Sequence, residues 1–288
     1  MKKFKGSFLY SIFVLSVFVG FFLPQTVVAS PDTINVPGDY TTIQAAINAA
    51  ASGDTILVGP GTYNESIRIT KSGLTIQSTE GRDLTIIKGD RAWYWRGETN
   101  DTFTVLVYDG VNDCTITGFT ITGCRYGIIC DGTDYGNENL NITNNIISNS
   151  ELFYDGDPSM PTVGVYSYYS YPTIENCVLT GNGVAVLDDF GRPIVKNNFI
   201  IGNGRGVDLS LSEYLPEESF PQVMNNVIAG NSSYGIGCFG TFVLIANNTI
   251  VKNEFGIYCG AESLPTITNN IIAGGTYGIY VDIDVPSY

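Results

Sequence analysis

The apolar residues of this chain fall in short alternating segments that are separated by glycine and asparagine. Segments this short, broken by turn residues, are too brief for helices and indicate β-strands. One kind of segment follows an asparagine pair: Ile146-Ile147, Val178-Leu179, Phe199-Ile200, Val227-Ile228, Thr249-Ile250 and Ile271-Ile272. The other kind begins with glycine: Gly164–Ser167, Gly183–Val186, Gly206–Leu209, Gly235–Cys238, Gly256–Cys259 and Gly278–Val281.

The asparagine pairs set the period of the pattern. The first asparagine of each pair occupies positions 144, 176, 197, 225, 247 and 269, with Cys177 replacing the second asparagine once. The steps between these positions are 32, 21, 28, 22 and 22 residues. A period near 22 residues with insertions indicates a solenoid. Short strands in each repeat predict an all-β parallel β-helix, with equivalent strands stacked about 4.8 Å apart.

The asparagine pairs have a structural interpretation in such a stack. Asparagine tolerates the left-handed backbone of a sharp bend, and identical amides one coil apart can hydrogen-bond along the axis. N-glycosylation sequons begin at Asn64, Asn100, Asn141, Asn231 and Asn247. We favour the turn interpretation over glycan attachment, because a repeated turn generates such sequons by chance.

The first 29 residues have the pattern of a secretory signal peptide. Lys2, Lys3 and Lys5 precede an apolar run from Phe8 to Leu23, and Val27-Val28-Ala29 suits signal peptidase. The alternative is an uncleaved membrane anchor, since the run is about long enough to span a bilayer. We expect cleavage, which leaves a secreted or cell-surface protein that has no remaining membrane segment.

A capping helix is predicted before the repeats, from Asp39 to Asp54. Thr41 or Thr42 can cap its N-terminus, Gly53 can end it, and the apolar face comprises Ile43, Ala46, Ile47 and Ala50. An amphipathic helix in this place covers the open first coil of a solenoid. The predicted organisation is a signal peptide over 1–29, a cap over 30–54 and a β-helix over 55–288.

The N-terminal region of the mature chain resembles a known family. The run Val36–Ala50 (VPGDYTTIQAAINAA), with Gly53–Val58 (GDTILV) and Gly61–Glu65 (GTYNE), is similar to the N-terminal cap and first coil of right-handed parallel β-helix proteins. These form the pectin-lyase-like superfamily, which includes pectinesterases and pectate lyases. With the repeats, the resemblance covers residues 32–281. It implies the fold and leaves the activity open, because the superfamily contains lyases, hydrolases, esterases, epimerases and non-enzymes.

Family-specific catalytic motifs are incomplete. A polygalacturonase-like site would need a histidine and an Arg-x-Lys element, and the chain has 0 histidines. A pectinesterase-like site would need an Asp-Phe-x-x-Gly strand and a separate Gly-Arg-Pro-Trp element. The fragment Asp189–Pro193 (DFGRP) contains parts of both, but they are adjacent here and well apart in that family, so we treat the match as coincidence. A pectate-lyase-like site would need calcium-binding acids and an arginine on the sheet face, for which Arg205 is the candidate.

The charge of the chain excludes one class of partner. The formal net charge is −14, and removing the three lysines of the signal peptide takes it to −17. With a pI near 4.2, nucleic acid binding is excluded. The same charge repels polyanions, which counts against simple binding of a polyuronate.

The glycine-initiated strands offer a candidate binding face. If Val165, Val184, Val207, Ile236, Ile257 and Ile279 point inward, alternation points Tyr166, Ala185, Asp208, Gly237, Tyr258 and Tyr280 outward. A neighbouring outward row comprises Asp131, Tyr168, Leu187, Ser210, Phe239, Gly260 and Asp282. Exposed aromatic rings beside carboxylates suit sugar recognition, and they are equally typical of an ordinary β-surface. The candidate binding residues on this face are Tyr166, Tyr168, Phe239, Tyr258 and Tyr280.

The candidate catalytic residues are Asp188, Asp189, Asp208 and Arg205. Carboxylates on adjacent coils would be roughly 5 Å apart, or about 6.5–9.5 Å if offset along the strands. These distances cover the carboxyl separations of both retaining and inverting glycosidases. One carboxyl could protonate a glycosidic oxygen while another activates water. The alternative, which we favour, is a solvated acidic turn.

Insertions interrupt the period at residues 90–101, 131–139, 150–161 and 210–221. The first holds Trp93 and Trp95, which could stack on sugar rings or pack over the first coils. Calcium is a candidate cofactor, because oxygen ligands cluster in two insertions at Asp131, Asp134, Asn137, Glu138, Asp155 and Asp157. No tight calcium motif is present, and we assign no metal-binding residue.

Six cysteines in an exported chain suggest disulfides. Cys130, Cys238 and Cys259 fall at the same inward strand position, where stacked neighbours are close enough to bridge. We favour free, buried thiols that act as small apolar residues.

Two functional hypotheses follow. The first is a secreted protein that binds, and as a lyase or hydrolase processes, an extracellular polysaccharide. The alternative is a non-catalytic cell-surface or adhesion module. No amphipathic segment follows Val281 to cover the last coil, so we expect a further chain segment or a subunit to pack there.

Overall fold

The computed structural model describes residues 30–96, 99–132, 139–148, 161–210, 220–260 and 262–282. Over these residues the chain forms three long sheets, and each coil contributes one strand to each sheet in turn. Every strand pairing between successive coils is parallel, and residues at equivalent positions are aligned from coil to coil. The predicted parallel β-helix is therefore confirmed.

The first sheet has ten strands. They are β1 (Thr33–Val36), β2 (Thr55–Val58), β5 (Thr75–Ser78), β9 (Thr115–Thr117), β12 (Asn141–Thr143), β15 (Thr173–Glu175), β18 (Ile194–Lys196), β21 (Gln222–Met224), β24 (Leu244–Ala246) and β27 (Thr266–Thr268).

The second sheet has nine strands. They are β3 (Gly61–Asn64), β6 (Thr85–Lys88), β10 (Thr120–Thr122), β13 (Ile146–Ile147), β16 (Val178–Thr180), β19 (Phe199–Ile201), β22 (Val227–Ala229), β25 (Thr249–Val251) and β28 (Ile271–Ala273).

The third sheet carries the longest strands. They are β4 (Ile67–Ile69), β8 (Thr99–Val107), β11 (Tyr126–Asp131), β14 (Val163–Tyr168), β17 (Val184–Asp189), β20 (Arg205–Ser210), β23 (Tyr234–Phe239), β26 (Phe255–Cys259) and β29 (Tyr277–Val281). One further strand, β7 (Ala92–Arg96), pairs antiparallel with the first half of β8. The insertion at residues 90–101 thus contributes to a hairpin.

The core fills the inside of the coils with rows of aliphatic side chains. On the third sheet, one inward row runs through Val105, Ile128, Val165, Val186, Val207, Ile236 and Ile257, all of which are completely buried. All six cysteines are free and buried, as predicted. Cys238 and Cys259 are aligned neighbours in the second inward row.

The two asparagines of each pair have different structural roles. The first asparagine of each pair has a left-handed backbone, with φ between 55° and 58° at Asn144, Asn176, Asn197, Asn225, Asn247 and Asn269. The second asparagine is buried at Asn145, Asn198, Asn226 and Asn248. From Asn198 to Asn248 its side-chain amide hydrogen-bonds to the asparagine of the next coil, as from Asn198 to Asn226 over 3.0 Å. The turn interpretation is confirmed in both parts.

A second asparagine column was not predicted. It joins Asn182, Asn203, Asn231 and Asn253 through side-chain bonds of 2.9–3.0 Å. Asn231 begins a sequon, and its side chain is buried in this column with 1% exposure. The folded chain therefore presents no accessible amide at Asn231 for a glycan.

The capping helix α1 (Ile43–Ala49) is shorter than predicted. The Thr42 hydroxyl accepts from the Ala45 N–H, so the predicted N-cap is confirmed. The Glu65 carboxylate accepts from the N–H groups of both Ile43 and Gln44, over 2.9 Å each. The helix ends before Gly53, which lies in the following turn with φ of 95°.

The last described coil leaves apolar side chains exposed. Ile279 of β29 is 51% exposed, whereas its aligned neighbour Ile257 is completely buried. A further segment or subunit on this coil stays a prediction.

The predicted signal peptide lies outside the described residues, and the domain boundaries stay predictions. Among the residues that the structure describes, no helix has the length and apolar character needed to cross a membrane.

Candidate functional site

The outward side of the third sheet carries two aligned rows of side chains. The central row is Leu106, Ile129, Tyr166, Leu187, Asp208, Gly237, Tyr258 and Tyr280. The flanking row is Asp131, Tyr168, Asp189, Ser210 and Phe239. We call this surface the outer face.

One coil differs from the predicted alignment. Tyr166 aligns with Leu187 and not with Ala185, so the predicted outward position of Ala185 is wrong. Ala185 is buried in the main core. Val184 packs beside Val163 in a second apolar cluster, which also contains Tyr126 and Tyr166. The reason is that Gly183 precedes β17, and Ala185 takes the place that glycine has in the neighbouring strands.

Asp188 points into the interior. It aligns with Ser167 on one side and Leu209 on the other, and it has 0% exposure. Burial raises the pKa of its carboxyl well above the usual value, an effect that the nearby Ser167 hydroxyl offsets only in part. Asp188 therefore does not lie with the other three catalytic candidates, because a side chain inside the coil cannot reach a ligand on the outer face.

Arg205, Asp208 and Tyr234 form a compact polar cluster on the outer face. Asp208 Oδ2 accepts from the Tyr234 hydroxyl over 2.6 Å and from Arg205 Nη1 over 2.7 Å. Burial raises the pKa of Asp208, and the Tyr234 and Arg205 partners offset part of that rise. Burial also raises the pKa of Tyr234, and the Asp208 charge adds to that rise.

Asp189 lies diagonally across from Asp208, one coil earlier and one outward position further along. Diagonal neighbours of this kind have Cα atoms about 7–8 Å apart. Asp189 Oδ2 accepts from the Tyr166 hydroxyl over 2.8 Å. The structure thus brings Asp189, Asp208 and Arg205 together, while each carboxylate is already engaged by a tyrosine.

Tyrosine–aspartate pairs recur along the outer face, and sequence reasoning missed them as pairs. The Tyr258 hydroxyl donates to Asp282 Oδ2 over 2.7 Å, with the same one-coil step as Tyr166 to Asp189. At the other end the Tyr94 hydroxyl contacts Asp131 Oδ2. A tyrosine in the central row, followed about one period later by an aspartate in the flanking row, is the signal that would have found the Tyr166–Asp189 and Tyr258–Asp282 pairs.

The first half of the outer face is covered. Tyr94 of β7 lies 6.5 Å from the Phe103 ring, edge to face, and Ala92 and Tyr94 pack onto a cluster that includes Tyr126 and Tyr166. Tyr166 retains only 5% exposure, so the prediction of an exposed ring there is wrong. The hairpin of β7 and β8 turns this half into a second small core.

The second half of the outer face presents aromatic rings to solvent. Tyr258 and Tyr280 stack with ring centroids 5.4 Å apart, and Phe239 packs 5.6 Å from Tyr258. All three side chains are partly exposed, and Tyr277 at the edge is 46% exposed. Tyr168 is also partly exposed, near the boundary between the two halves.

The two tryptophans of the first insertion belong to β7. Trp93 is 52% exposed, and its backbone carbonyl accepts from Arg68 Nη2 over 3.0 Å. Trp95 pairs through its backbone with Asn100, and its side chain lies outside the described residues.

The calcium candidates are largely outside the described residues, namely Asp134, Asn137, Glu138, Asp155 and Asp157. Asp131 is described and is engaged with Tyr94. Within the described ranges, no group of three or more His, Cys, Asp or Glu side chains is placed to hold a metal ion.

The family is established by sequence. The model of the right handed beta helix region matches residues 104–272, more than half of the chain. The chain therefore belongs to the right handed beta helix family, and this confirms the fold that the N-terminal resemblance implied. This assignment defines the fold, and the activity has to be argued from the outer face.

A cell surface glycoprotein of Methanothermus fervidus is similar in sequence. It is 28% identical over 261 residues, which cover 80% of this chain and 40% of the relative. The chain thus spans about two fifths of the length of that relative.

Solved structures share the fold. A pectin methylesterase from Aspergillus niger matches with a TM-score of 0.58 and 17% identity, covering 86% of this chain and 87% of that one. An alginate lyase from Paenibacillus sp. matches with a TM-score of 0.54 and 17% identity, over 88% and 99% of the two chains. The A-module of a mannuronan C-5 epimerase from Azotobacter vinelandii matches with a TM-score of 0.52 and 16% identity, over 84% and 94%. These likenesses show the fold alone.

Proposed function

We propose that this chain is a secreted or cell-surface β-helix that binds an extracellular polysaccharide along the second half of its outer face. The observation that carries the proposal is the partly exposed stack of Tyr258 and Tyr280, 5.4 Å apart on successive coils. The similarity to a cell surface glycoprotein and the predicted signal peptide support an extracellular location.

The chemistry of the surface suits a sugar chain. Aromatic side chains supply large apolar area with a polar hydroxyl at the tip, and they need few torsions to be fixed on binding. Phe239, Tyr258 and Tyr280 form a strip along the axis, so an extended polymer parallel to the axis can contact several rings. The Asp282 carboxylate beside Tyr258 accepts hydrogen bonds and can bind sugar hydroxyl groups.

The charge of this surface favours a neutral polysaccharide. Asp189, Asp208 and Asp282 lie on or beside the strip, and the positive charge of Arg205 is paired with Asp208. The chain also has a formal charge of −14 before signal cleavage. A uronate polymer would approach like charges, which costs binding energy and slows association.

The direct test is a binding panel of neutral polysaccharides, such as mannan, β-glucan and galactan, beside polygalacturonate and alginate. We expect binding to at least one neutral polymer and weaker or no binding to the uronates in low salt. Tyr258→Ala and Tyr280→Ala should each weaken binding about tenfold, which corresponds to about 1.4 kcal/mol. Phe199→Ala is the matched control, since Phe199 is an aromatic with 52% exposure on the second sheet.

Three outcomes would contradict the proposal. They are no binding to any polymer in the panel, undiminished binding by both tyrosine variants, and equal loss in the Phe199 control.

A second candidate function is glycoside hydrolysis by Asp189 and Asp208. Its support is the diagonal placement of the two carboxyls together with the raised pKa of Asp208, a combination that suits a general acid beside a base. Against it, Asp208 is 5% exposed and ion-paired with Arg205, and Asp189 accepts from Tyr166. We therefore favour binding without cleavage.

Release of reducing sugar and formation of unsaturated product on the same panel separate the two functions. We expect neither product. Activity of the wild-type chain that is lost in Asp208→Asn would establish catalysis at this site and displace the binding-only proposal.

A further inference from the structure

The interior carboxyl of Asp188 has no role in the proposed binding surface. Its side chain is completely buried inside the coil, and neither carboxylate oxygen forms a hydrogen bond of ordinary geometry. An isolated buried carboxylate is costly, so such a group either holds a proton, as the raised pKa of Asp188 indicates for the chain alone, or is paired with a cation. The surroundings of Asp188 indicate which partner would neutralise it.

Three oxygen atoms from two successive coils converge beside Asp188. Asp188 Oδ1, Ser167 Oγ and the Ser170 carbonyl oxygen all lie within 2.5 Å of the point where a side chain at Gly191 would place its Cβ. No two of these oxygens are therefore more than about 5 Å apart. Ser170 also has a buried hydroxyl without a hydrogen-bond partner.

Gly191 allows these three oxygens to approach the backbone closely. A Cβ at that position would lie well inside 3.0 Å of all three oxygens, so any other residue would push them apart. The glycine is required here by the close approach of these oxygens and not by a left-handed backbone.

The donor set is made of oxygen with one negative charge. The Ser167 hydroxyl donates to the Ser170 carbonyl over 3.1 Å, so its lone pairs remain available to a cation. Carboxylate, hydroxyl and carbonyl oxygens are ligands for hard cations. A single carboxylate neutralises a monovalent cation, whereas a divalent ion would leave an uncompensated charge in the apolar interior.

We propose that Asp188, Ser167 and Ser170 bind one alkali cation, Na⁺ or K⁺, inside the β-helix. The ion would join the end of β14 to the end of β17, where both strands turn toward the first sheet. It would hold in place the coil that presents Asp189 on the outer face. This site is independent of the proposed polysaccharide surface.

The test is thermal unfolding of the wild-type chain near pH 7.5, with EDTA present. NaCl and KCl are compared with N-methylglucamine chloride at equal ionic strength. We expect the melting temperature to rise by about 5–10 °C when the free cation exceeds its dissociation constant about a hundredfold. Asp188→Asn should lose the ion-specific rise. Asp189→Asn, the same change one residue away on the opposite face, should keep it.

A direct readout uses the wild-type chain alone, so it does not depend on the folding of a variant. Crystals grown with Tl⁺, an analogue of K⁺, should show anomalous density between Asp188 and Ser170. Equal melting temperatures in all three salts or an undiminished response in Asp188→Asn would overturn the proposal. If KCl raises the melting temperature, the absence of anomalous density at this place would overturn it as well.

Discussion

The side-chain amide of Asn226 donates a 3.0 Å hydrogen bond to Oδ1 of Asn248, one coil further along. The same Oδ1 accepts from the Asn226 backbone N–H over 2.9 Å, and the Asn226 amide also donates to the Val195 carbonyl. Each buried asparagine thereby satisfies backbone groups that the turn would otherwise leave without partners. The column connects the coils at the corner between the first and second sheets.

Replacing one member of this column should be strongly destabilising. Asn226→Ala removes the acceptor of the Asn198 N–H and the donor to Val195, and it leaves these buried groups unsatisfied. We expect a loss of about 2–5 kcal/mol of unfolding free energy, since each orphaned group costs about 1–3 kcal/mol. Denaturant unfolding followed by circular dichroism measures the loss.

The control for this change is Asn225→Gly at the preceding, exposed position. Asn225 has a φ of 57°, which glycine adopts without strain. This variant should remain within about 1 kcal/mol of the wild type. Equal destabilisation by the two variants would contradict the division of roles within the pair.

A glycine at the start of β20 should not tolerate a side chain. A Cβ at Gly206 would lie well inside 3.0 Å of the Gly235 carbonyl oxygen in the next coil. We expect Gly206→Ala to cost about 1–3 kcal/mol in unfolding free energy, because a packed interior resists added volume.

The natural comparison is Ala185, which has a Cβ at the aligned position of β17. Ala185→Gly should cost about 1 kcal/mol through chain entropy and lost contacts. The two variants are measured together by denaturant unfolding. A neutral Gly206→Ala would show that the coils can separate locally at low cost.

The pH dependence of stability should carry the signature of Asp208. Its pKa is raised by burial above the unfolded value of 3.8, so the folded state holds the proton more tightly than the unfolded state. The stabilisation is present below pH 3.8 and is lost as the pH rises through the higher folded pKa.

Asp208→Asn lacks this titration. From about pH 3.8 upward, the wild type should therefore lose stability relative to Asp208→Asn, until the folded-state carboxyl is fully ionised. Unfolding free energies of both chains between pH 3 and pH 7 test the sign. If the unfolding free energy of the wild type rises relative to that of Asp208→Asn over this range, the burial argument is contradicted.

Most of the fold could be predicted from the sequence, because the interactions that define it are local and repeated. Asn144 and its equivalents mark one corner of six successive coils, and the inward aliphatic row follows from the period of two. The bounds of α1 were less predictable, since Glu65, from outside the helix, bonds to its first N–H groups.

The candidate site was predicted less well, because it depends on alignment between coils and on what covers a surface. Aligning Gly164 with Gly183 places Ala185 outward, whereas the structure aligns Tyr166 with Leu187. The alternation that puts Leu187 outward also puts Asp188 inward, so that position could have been found from the sequence. The covering of Tyr166 could not, since it depends on the packing of β7.

Cys130 and Cys177 should be unreactive in the folded chain. Burial raises the pKa of Cys130 to about 12 and that of Cys177 to about 11, so little thiolate exists near neutral pH. We expect negligible labelling of these two thiols by a thiol-specific reagent at pH 8 in the native state, and labelling of all six cysteines after denaturation. Rapid labelling of Cys130 or Cys177 in the native chain would contradict their placement in the core.

The measurement that tests the central claim most directly is hydroxyl-radical footprinting with the neutral polysaccharide that binds best in the panel. Binding along the second half of the outer face should lower the oxidation of Phe239, Tyr258 and Tyr280. Phe199 and Phe242, which are 52% and 47% exposed outside the third sheet, should be unchanged. Protection of Phe199 or Phe242, with the three outer-face rings still fully reactive, would contradict the account.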